Sequence, residues 1–258
     1  MKILITNDDG IGAEGIRVLA DELSKIGEVT VVAPDGNRSA VGHGVSFFTP
    51  LRIWGHDKEN WHSCSGTPAD CIIAGLYHIM KDNRPDIIVT GINKGANLGD
   101  DFNYSGTISS AKEGALAGIP SIAVSNEVLQ DFTVPSYTNA AKLAAGLALE
   151  IFRNPIPERS MLNLNVPAGE IKGIRTTHLG KSSFTYRIIQ RKDTVNLDYF
   201  WAGRNFDYNN EKYQGSDKQA LDEGYASITP LNLDFTPGSN GVSFWDGRHP
   251  EDLMKYIK

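Results

Sequence analysis

The sequence predicts an α/β fold: an open, mainly parallel sheet with helices on both faces, extended at the C-terminal end by a β-hairpin arm. Three observations predict it. Short apolar runs rich in Val and Ile alternate with helically spaced segments, and the connections between them are brief, as in a parallel sheet. From about Gly173 the alternation stops. Residues 174–215 then mix Tyr, Phe, Trp and Thr with many charges, which suits an antiparallel hairpin or arm.

Each element has its own signal. Residues 2–6, Lys-Ile-Leu-Ile-Thr, read as a short buried strand. Ile16, Leu19, Ala20 and Leu23 lie at helical spacing, so a helix is expected over 13–26, ended by Gly27. Residues 28–33 form a second strand, closed by Pro34-Asp35-Gly36-Asn37. A helix over 68–81 takes Pro68 into its first turn. Strands follow at 86–90 and 121–125, separated by a helix from about Ser109 to Ala117 and by Gly118-Ile119-Pro120. Residues 137–152 read as an alanine-rich amphipathic helix. A strand at 225–229 ends at Pro230, and the tail from Asp246 has only faint helical spacing.

Composition narrows the function classes. A net charge of −6 over 258 residues argues against non-specific binding to nucleic acid or to an acidic membrane surface. No apolar stretch approaches the ~20 residues of a membrane span. Asp8 and Asp9 arrive too early for a signal-peptide core. Cys64 and Cys71 match no zinc spacing and read as buried reduced thiols, which fits the cytoplasm.

Four loops at one edge of the sheet carry chemistry of one kind. The first gives Asn7-Asp8-Asp9-Gly10, two adjacent carboxylates in the crevice where open α/β sheets bind ligands. Their mutual repulsion is costly unless a cation lies between them; the same four residues also make an ordinary polar turn. The second gives Asp35-Gly36-Asn37-Arg38-Ser39 and then Gly42-His43-Gly44. The third gives Gly91-Ile92-Asn93-Lys94-Gly95-Ala96-Asn97-Leu98-Gly99-Asp100-Asp101, followed by Tyr104-Ser105-Gly106-Thr107 just before a helix. Carboxylate, hydroxyl and amide oxygens are hard ligands suited to Mg²⁺ or Mn²⁺. A Ser-Gly-Thr turn at a helix start offers hydroxyls and unpaired N–H groups to an anion, and Arg38 and Lys94 add positive charge. Each part also has a bland use. Ser39 serves as a turn hydroxyl, Asn93 and Asn97 as left-handed turn residues, Ser105 as a helix cap, and His43 as a structural histidine. Their coincidence at one edge of one sheet describes metal-assisted attack on a phosphate ester.

At these residues the chain resembles the SurE family. Thr6-Asn7-Asp8-Asp9-Gly10, Ala33-Pro34-Asp35 with Arg38-Ser39 and Gly42-His43, and Ser65-Gly66-Thr67-Pro68-Ala69-Asp70-Cys71 are similar to its hallmark blocks. So are Gly91 to Gly99 with Tyr104-Ser105-Gly106-Thr107 and Glu113-Gly114, Pro120-Ser121-Ile122-Ala123, Asn163-Leu164-Asn165-Val166-Pro167, and Gly224-Tyr225 with Ser227 to Leu231. The match runs in order over nearly the whole chain. Gly36, Ala40 and Val41 lie in a loop where such proteins vary, and 178–215 is similar only in texture.

The resemblance implies a Rossmann-like core and a phosphatase for nucleoside 5′- and 3′-monophosphates, with some activity on short polyphosphate. It implies one divalent metal ion per subunit, Mg²⁺ or Mn²⁺, held by Asp8, Asp9, Ser39 and Asn93. Asn97 would lie beside metal and substrate, making Asp8, Asp9 and Asn97 the catalytic set. Asn97 with Ser105, Gly106 and Thr107 would receive the phosphate. A homodimer or homotetramer built through the C-terminal arm is implied as well. Residues 1–173 would then be the catalytic core, and 174–258 an extension with the hairpin, the last core strand and the oligomerisation elements.

The expected chemistry is attack by water whose pKa the cation lowers. An aspartyl-phosphate on Asp8 is the rival route; phosphatases of the haloacid-dehalogenase type place a second acid two residues on, where this chain has Gly10. Two other functions compete. A nucleotide sensor would bind without chemistry, but Gly10-Ile11-Gly12-Ala13 lacks the full dinucleotide fingerprint. A hydrolase of esters without phosphorus would be told apart by its substrates.

Overall fold

The computed structural model describes residues 1–56, 58–128, 136–181, 185–205 and 214–234. Its first half contains β1 (Lys2–Thr6), α1 (Glu14–Leu23), β2 (Glu28–Pro34), β3 (Ile53–Gly55), β4 (Trp61–Cys64) and α2 (Pro68–Ala74), which continues as a π-helical turn, Gly75–Ile79. Then come β5 (Ile87–Lys94), a short 3-10 helix (Gly99–Asn103), α3 (Gly106–Leu116), β6 (Ser121–Asn126), α4 (Thr138–Arg153) and β7 (Ser160–Val166). The remainder gives β8 (Ile174–Thr176), β9 (Thr185–Lys192), β10 (Asp198–Asn205), α5 (Asp217–Asp222) and β11 (Ala226–Asn232).

One sheet runs in the order β3-β4-β2-β1-β5-β6-β7-β11-β8. The six strands from β4 to β7 in that order are mutually parallel, while β3 and β11 are antiparallel to their neighbours β4 and β7. Period-2 alternation divides the apolar residues between the faces. Ile3, Ile5, Val31, Val89 and Ile122 pack with Ile16 and Leu19 of α1 and Ala144 and Ala148 of α4. Leu4, Val32 and Ile88 turn the other way, onto Cys71 and Ile72 of α2. Ile108 and Ala111 of α3 cover Ala123, Met161 and Leu231 beside them. The expected layers are therefore present, and β9 and β10 form the expected hairpin as a separate antiparallel pair.

Several boundaries differ from the sequence reading. Helix α1 stops at Leu23, because the Ile26 and Gly27 amides both fold back onto the Leu23 carbonyl in a closing turn. Helix α2 starts at Pro68, as expected, behind a Thr67–Asp70 capping box. Helix α3 starts at Gly106 instead of Ser109, since Ser105 is the N-cap and its hydroxyl accepts from the Ile108 amide. Strand β5 continues to Lys94 through a register shift between Thr90 and Asn93, so part of the expected loop is strand. Strand β11 also passes through Pro230. Its neighbour β8 pairs only as far as Ile228, so the missing N–H lies beyond that ladder. Strands β3, β4, β7 and β8 fall where the sequence reading assigns no individual strand. The tail from Asp246 lies outside the described residues.

Candidate active site

The parallel strands deliver their C-terminal ends to one edge, and β1 is central there. Asn7 closes the turn after it: its side-chain amide donates to the Gly10 carbonyl, and its Oδ1 accepts from the Gly10 amide. Gly10 has φ +98°, and a Cβ there would sit 2.9 Å from the Gly36 carbonyl carbon. Only glycine lets the β1 and β2 loops approach so closely. The Arg38 amide then donates to the Asp8 carbonyl at 2.7 Å, which ties the loop that carries Ser39 to the β1 turn. Ser39 is held by its own amide on Asn37 Oδ1, and Arg38 reaches Asp35 and the Ser65 carbonyl.

Asp8 is buried against the first turn of α3. The Thr107 hydroxyl donates to Asp8 Oδ1 at 2.6 Å. Gly106 lies so near that a Cβ would meet the Asp8 Cβ at 2.7 Å and Oδ2 at 3.0 Å. Burial pushes the Asp8 carboxyl above its ordinary value, and hydrogen bonds from Thr107 and from backbone amides oppose that. Asp9 is pushed up to about 6, by burial first and by the charge of Asp8 second; the Lys94 amide and charge pull it back. That amide donates to Asp9 Oδ2 at 3.2 Å, bringing the end of β5, with Asn93, to the pair. The Asn93 side chain is fixed by donating to the Gly95 carbonyl.

Asn97 is anchored two strands away from β1. Its side-chain amide donates to Ser125 Oγ on β6, its backbone amide donates to Asn165 Oδ1, and its carbonyl accepts from Asn163 and Asn165 of β7. The structure thus draws Asp8, Asp9, Gly106, Thr107 and the loops of Ser39 and Asn93 into direct contact, and brings Asn97 to the same edge through β6 and β7. His43 pairs with Glu113 of α3 at 2.9 Å, the structural use anticipated for it.

Sequence reasoning missed Asn163 and Asn165 as supports of Asn97, although both alternate with apolar residues on β7, a pattern that marks a polar inner face. It also missed Tyr137. That phenol is buried at the start of α4, and burial with the charges of Asp9 and Glu14 pushes it up to about 12, so it stays neutral beside the carboxylates.

The donor chemistry fits a hard divalent cation. Two crowded, desolvated carboxylates raised above their ordinary values are the condition that such an ion relieves. Among the described residues no group of three or more His, Cys, Asp or Glu side chains forms a metal cluster. Any ion held here therefore has two carboxylates and neutral oxygens to bind.

The family model described as survival protein SurE matches residues 3–186. The chain belongs to the SurE family. A 5′-nucleotidase SurE of Syntrophotalea carbinolica is 43% identical over 239 residues, covering 92% of this chain and 93% of that protein. One from Pelobacter propionicus is 45% identical over 240 residues, covering 92% and 95%. The crystal structure of the SurE protein from Aquifex aeolicus has a TM-score of 0.79 and 35% identity, covering all of this chain and 98% of that one. No helix among the described residues is long and apolar enough to cross a membrane.

Proposed function

We propose that this SurE-family chain is a 5′-nucleotidase, a phosphoric monoester hydrolase that takes nucleoside monophosphates to nucleoside and phosphate with one divalent metal ion per subunit. The observation that carries the reading is the adjacent pair of buried Asp8, set against the N-terminus of α3, and half-buried Asp9. The relatives' name, 5′-nucleotidase SurE, supports the substrate class.

Asp8, Asp9, Ser39 and Asn93 would hold the ion, either Mg²⁺ or Mn²⁺. When bound, it supplies positive charge to a phosphate oxygen and lowers the pKa of water. The chain's own groups do the rest. Thr107 orients Asp8, and its proton is committed to that carboxylate, so its hydroxyl is not free to donate to phosphate at the same time. Ser105 uses its oxygen as the cap but keeps its hydroxyl proton for a phosphate oxygen. The first-turn amides of α3 add a fixed positive field toward the transferring group. Asn97, braced by Ser125, Asn163 and Asn165, presents its side chain without reorganisation. Arg38 and Lys94 draw an anionic substrate to the rim.

Activity on 3′-monophosphates and on short polyphosphate belongs to the same proposal, since the anion is recognised by its phosphoryl group. So do a cytoplasmic setting, which free Cys64 and Cys71 favour, and a homodimer or homotetramer made through the β9–β10 arm, whose Phe200 and Trp201 are exposed. Residues 1–173 as the core and 174–258 as an extension complete it. The test is phosphate release from 5′- and 3′-mononucleotides and polyphosphate, after chelation and with each metal restored. No release under any of these conditions overturns the reading.

A further inference from the structure

Among the described residues the mechanism above leaves two buried carboxylates unused: Asp70, spent in the capping box of α2, and Asp217. Asp217, the first residue of α5, is fully buried. Its Oδ1 accepts from the amides of Lys218 and Gly180, and its Oδ2 accepts from the amide of Gly99, each at 2.8 Å. A buried charge is tolerated only when such donors surround it, and charge-assisted bonds of this kind are the strong ones. Displacing the Gly99 amide takes from Oδ2 its donor, whereas Oδ1 keeps two.

The three donors come from places with different jobs. Lys218 belongs to α5. Gly180 lies in the segment between β8 and the hairpin. Gly99 sits in the loop that carries Asn97 two residues before it and Ser105 six residues after it. The same loop touches the hairpin directly, since the Tyr186 hydroxyl of β9 donates to the Tyr104 hydroxyl at 3.1 Å. Asn163 and Asn165 clamp the loop at Asn97, and Ser105 caps α3. The Gly99–Asp217 bond is a hold between these two points.

We propose that Asp217 is a positioning residue of the active site: it fixes the loop from Asn97 to Ser105 at Gly99, two residues after Asn97, and ties that loop to the segment leading into the β9–β10 hairpin. The proposal rests on the hydrolase reading. Its consequence is kinetic. If the bond to Gly99 is lost, the loop adopts its binding-competent position only part of the time, and apparent affinity falls by that fraction. Substrate at saturation selects the competent loop, so kcat is preserved. A merely structural lesion does the opposite, lowering the amount of active enzyme with KM unchanged.

Asp217→Asn is the informative variant. Oδ1 keeps its two donors, so the new amide group faces the Gly99 N–H, donor against donor. The expected result is a KM for a 5′-mononucleotide raised roughly tenfold, with kcat within about twofold of the parent. Hydrogen exchange at the Gly99 and Asn97 amides should quicken while the amides of α1 keep their protection. Asp217→Glu, which keeps the charge but displaces its oxygens by one methylene, is read in the same way if the first variant does not fold. An unchanged KM, or unchanged exchange at Gly99, overturns the proposal. If the unaltered protein releases no phosphate from any mononucleotide, the hydrolase reading falls; the exchange experiment then decides by itself whether Asp217 holds the loop.

Discussion

The Thr107 hydroxyl donates a 2.6 Å hydrogen bond to Asp8 Oδ1, joining residues 99 positions apart. This bond locks the first strand's carboxylate onto the first turn of α3, and it fixes which Asp8 oxygen faces the helix. Thr107→Val keeps the shape and removes the donor. A hydrogen bond to a charged group is worth about 1.5–3 kcal/mol, so kcat/KM for a mononucleotide should fall roughly 10- to 100-fold. Steady-state phosphate release checks it, and an unchanged kcat/KM would deny Thr107 its orienting role.

Gly106 supplies the second constraint on Asp8. A methyl group there meets Asp8 Cβ at 2.7 Å, Asp8 Oδ2 at 3.0 Å and Pro68 Cγ at 3.0 Å, so backbone or carboxylate has to move. Gly106→Ala should cost about 1–3 kcal/mol of stability and weaken metal binding together with it. Gly12→Ala, where nothing lies within 4 Å of the new atom, is the control. Thermal unfolding of the two variants side by side makes the comparison.

These contacts mark the limit of what the chain displays in one dimension. Alternating buried strands and the Asp8-Asp9 turn are legible because periodicity and charge are local properties. The sequence places the start of α3 three residues late because Ser105-Gly106-Thr107 serves equally as turn, anion site or cap, and the Ile108 amide on Ser105 decides for the cap. Strand β7 is short, and its alternation of Leu162, Leu164 and Val166 with Asn163 and Asn165 reads equally as a half-exposed polar segment. The burial of both asparagines is offset by hydrogen bonds to Asn97, in a loop whose return to β7 no short-range pattern records. Strands β3 and β4, three and four residues long, are too short to show alternation. Asp217 lay in a stretch without a motif, and its partners Gly99 and Gly180 donate from the backbone, which sequence does not display.

The paired carboxylates set a pH dependence whose sign can be worked out. Asp9 titrates near 6 when folded and near 3.9 when unfolded. Between those values the folded chain binds more protons, so this group's contribution to stability falls as pH rises and is lost above about 6. In chelator, the stability difference between the parent and Asp9→Asn should therefore shift in the variant's favour from pH 4.5 to 7. Mg²⁺ or Mn²⁺ requires ionised carboxylates, so its stabilising effect should grow over the same window. Thermal unfolding with and without metal measures both, and a metal effect independent of pH would contradict the assignment.

Lys112 offers a separate test, remote from the carboxylates. Burial pushes its ammonium down to about 8, over the Phe102 ring. Between about 8 and the unfolded value near 10.4 the unfolded chain binds more protons, so this group favours folding more as pH rises. Lys112→Met should raise the Tm at pH 7, with the gain shrinking toward pH 10. The contact with the ring offsets part of that gain. A lower Tm for the variant at pH 7 would mean that the ring contact and the hydrogen bond to the Phe102 carbonyl outweigh burial.

Phosphate release from a panel of 5′- and 3′-mononucleotides by chelator-stripped protein tests the central claim most directly. Mg²⁺ and Mn²⁺ are restored separately, beside Asp8→Asn. The account predicts release that returns with metal and is reduced about 100- to 1,000-fold in the variant, the scale on which a single group at a reacting centre acts. Metal-independent release, or full activity in Asp8→Asn, would contradict it.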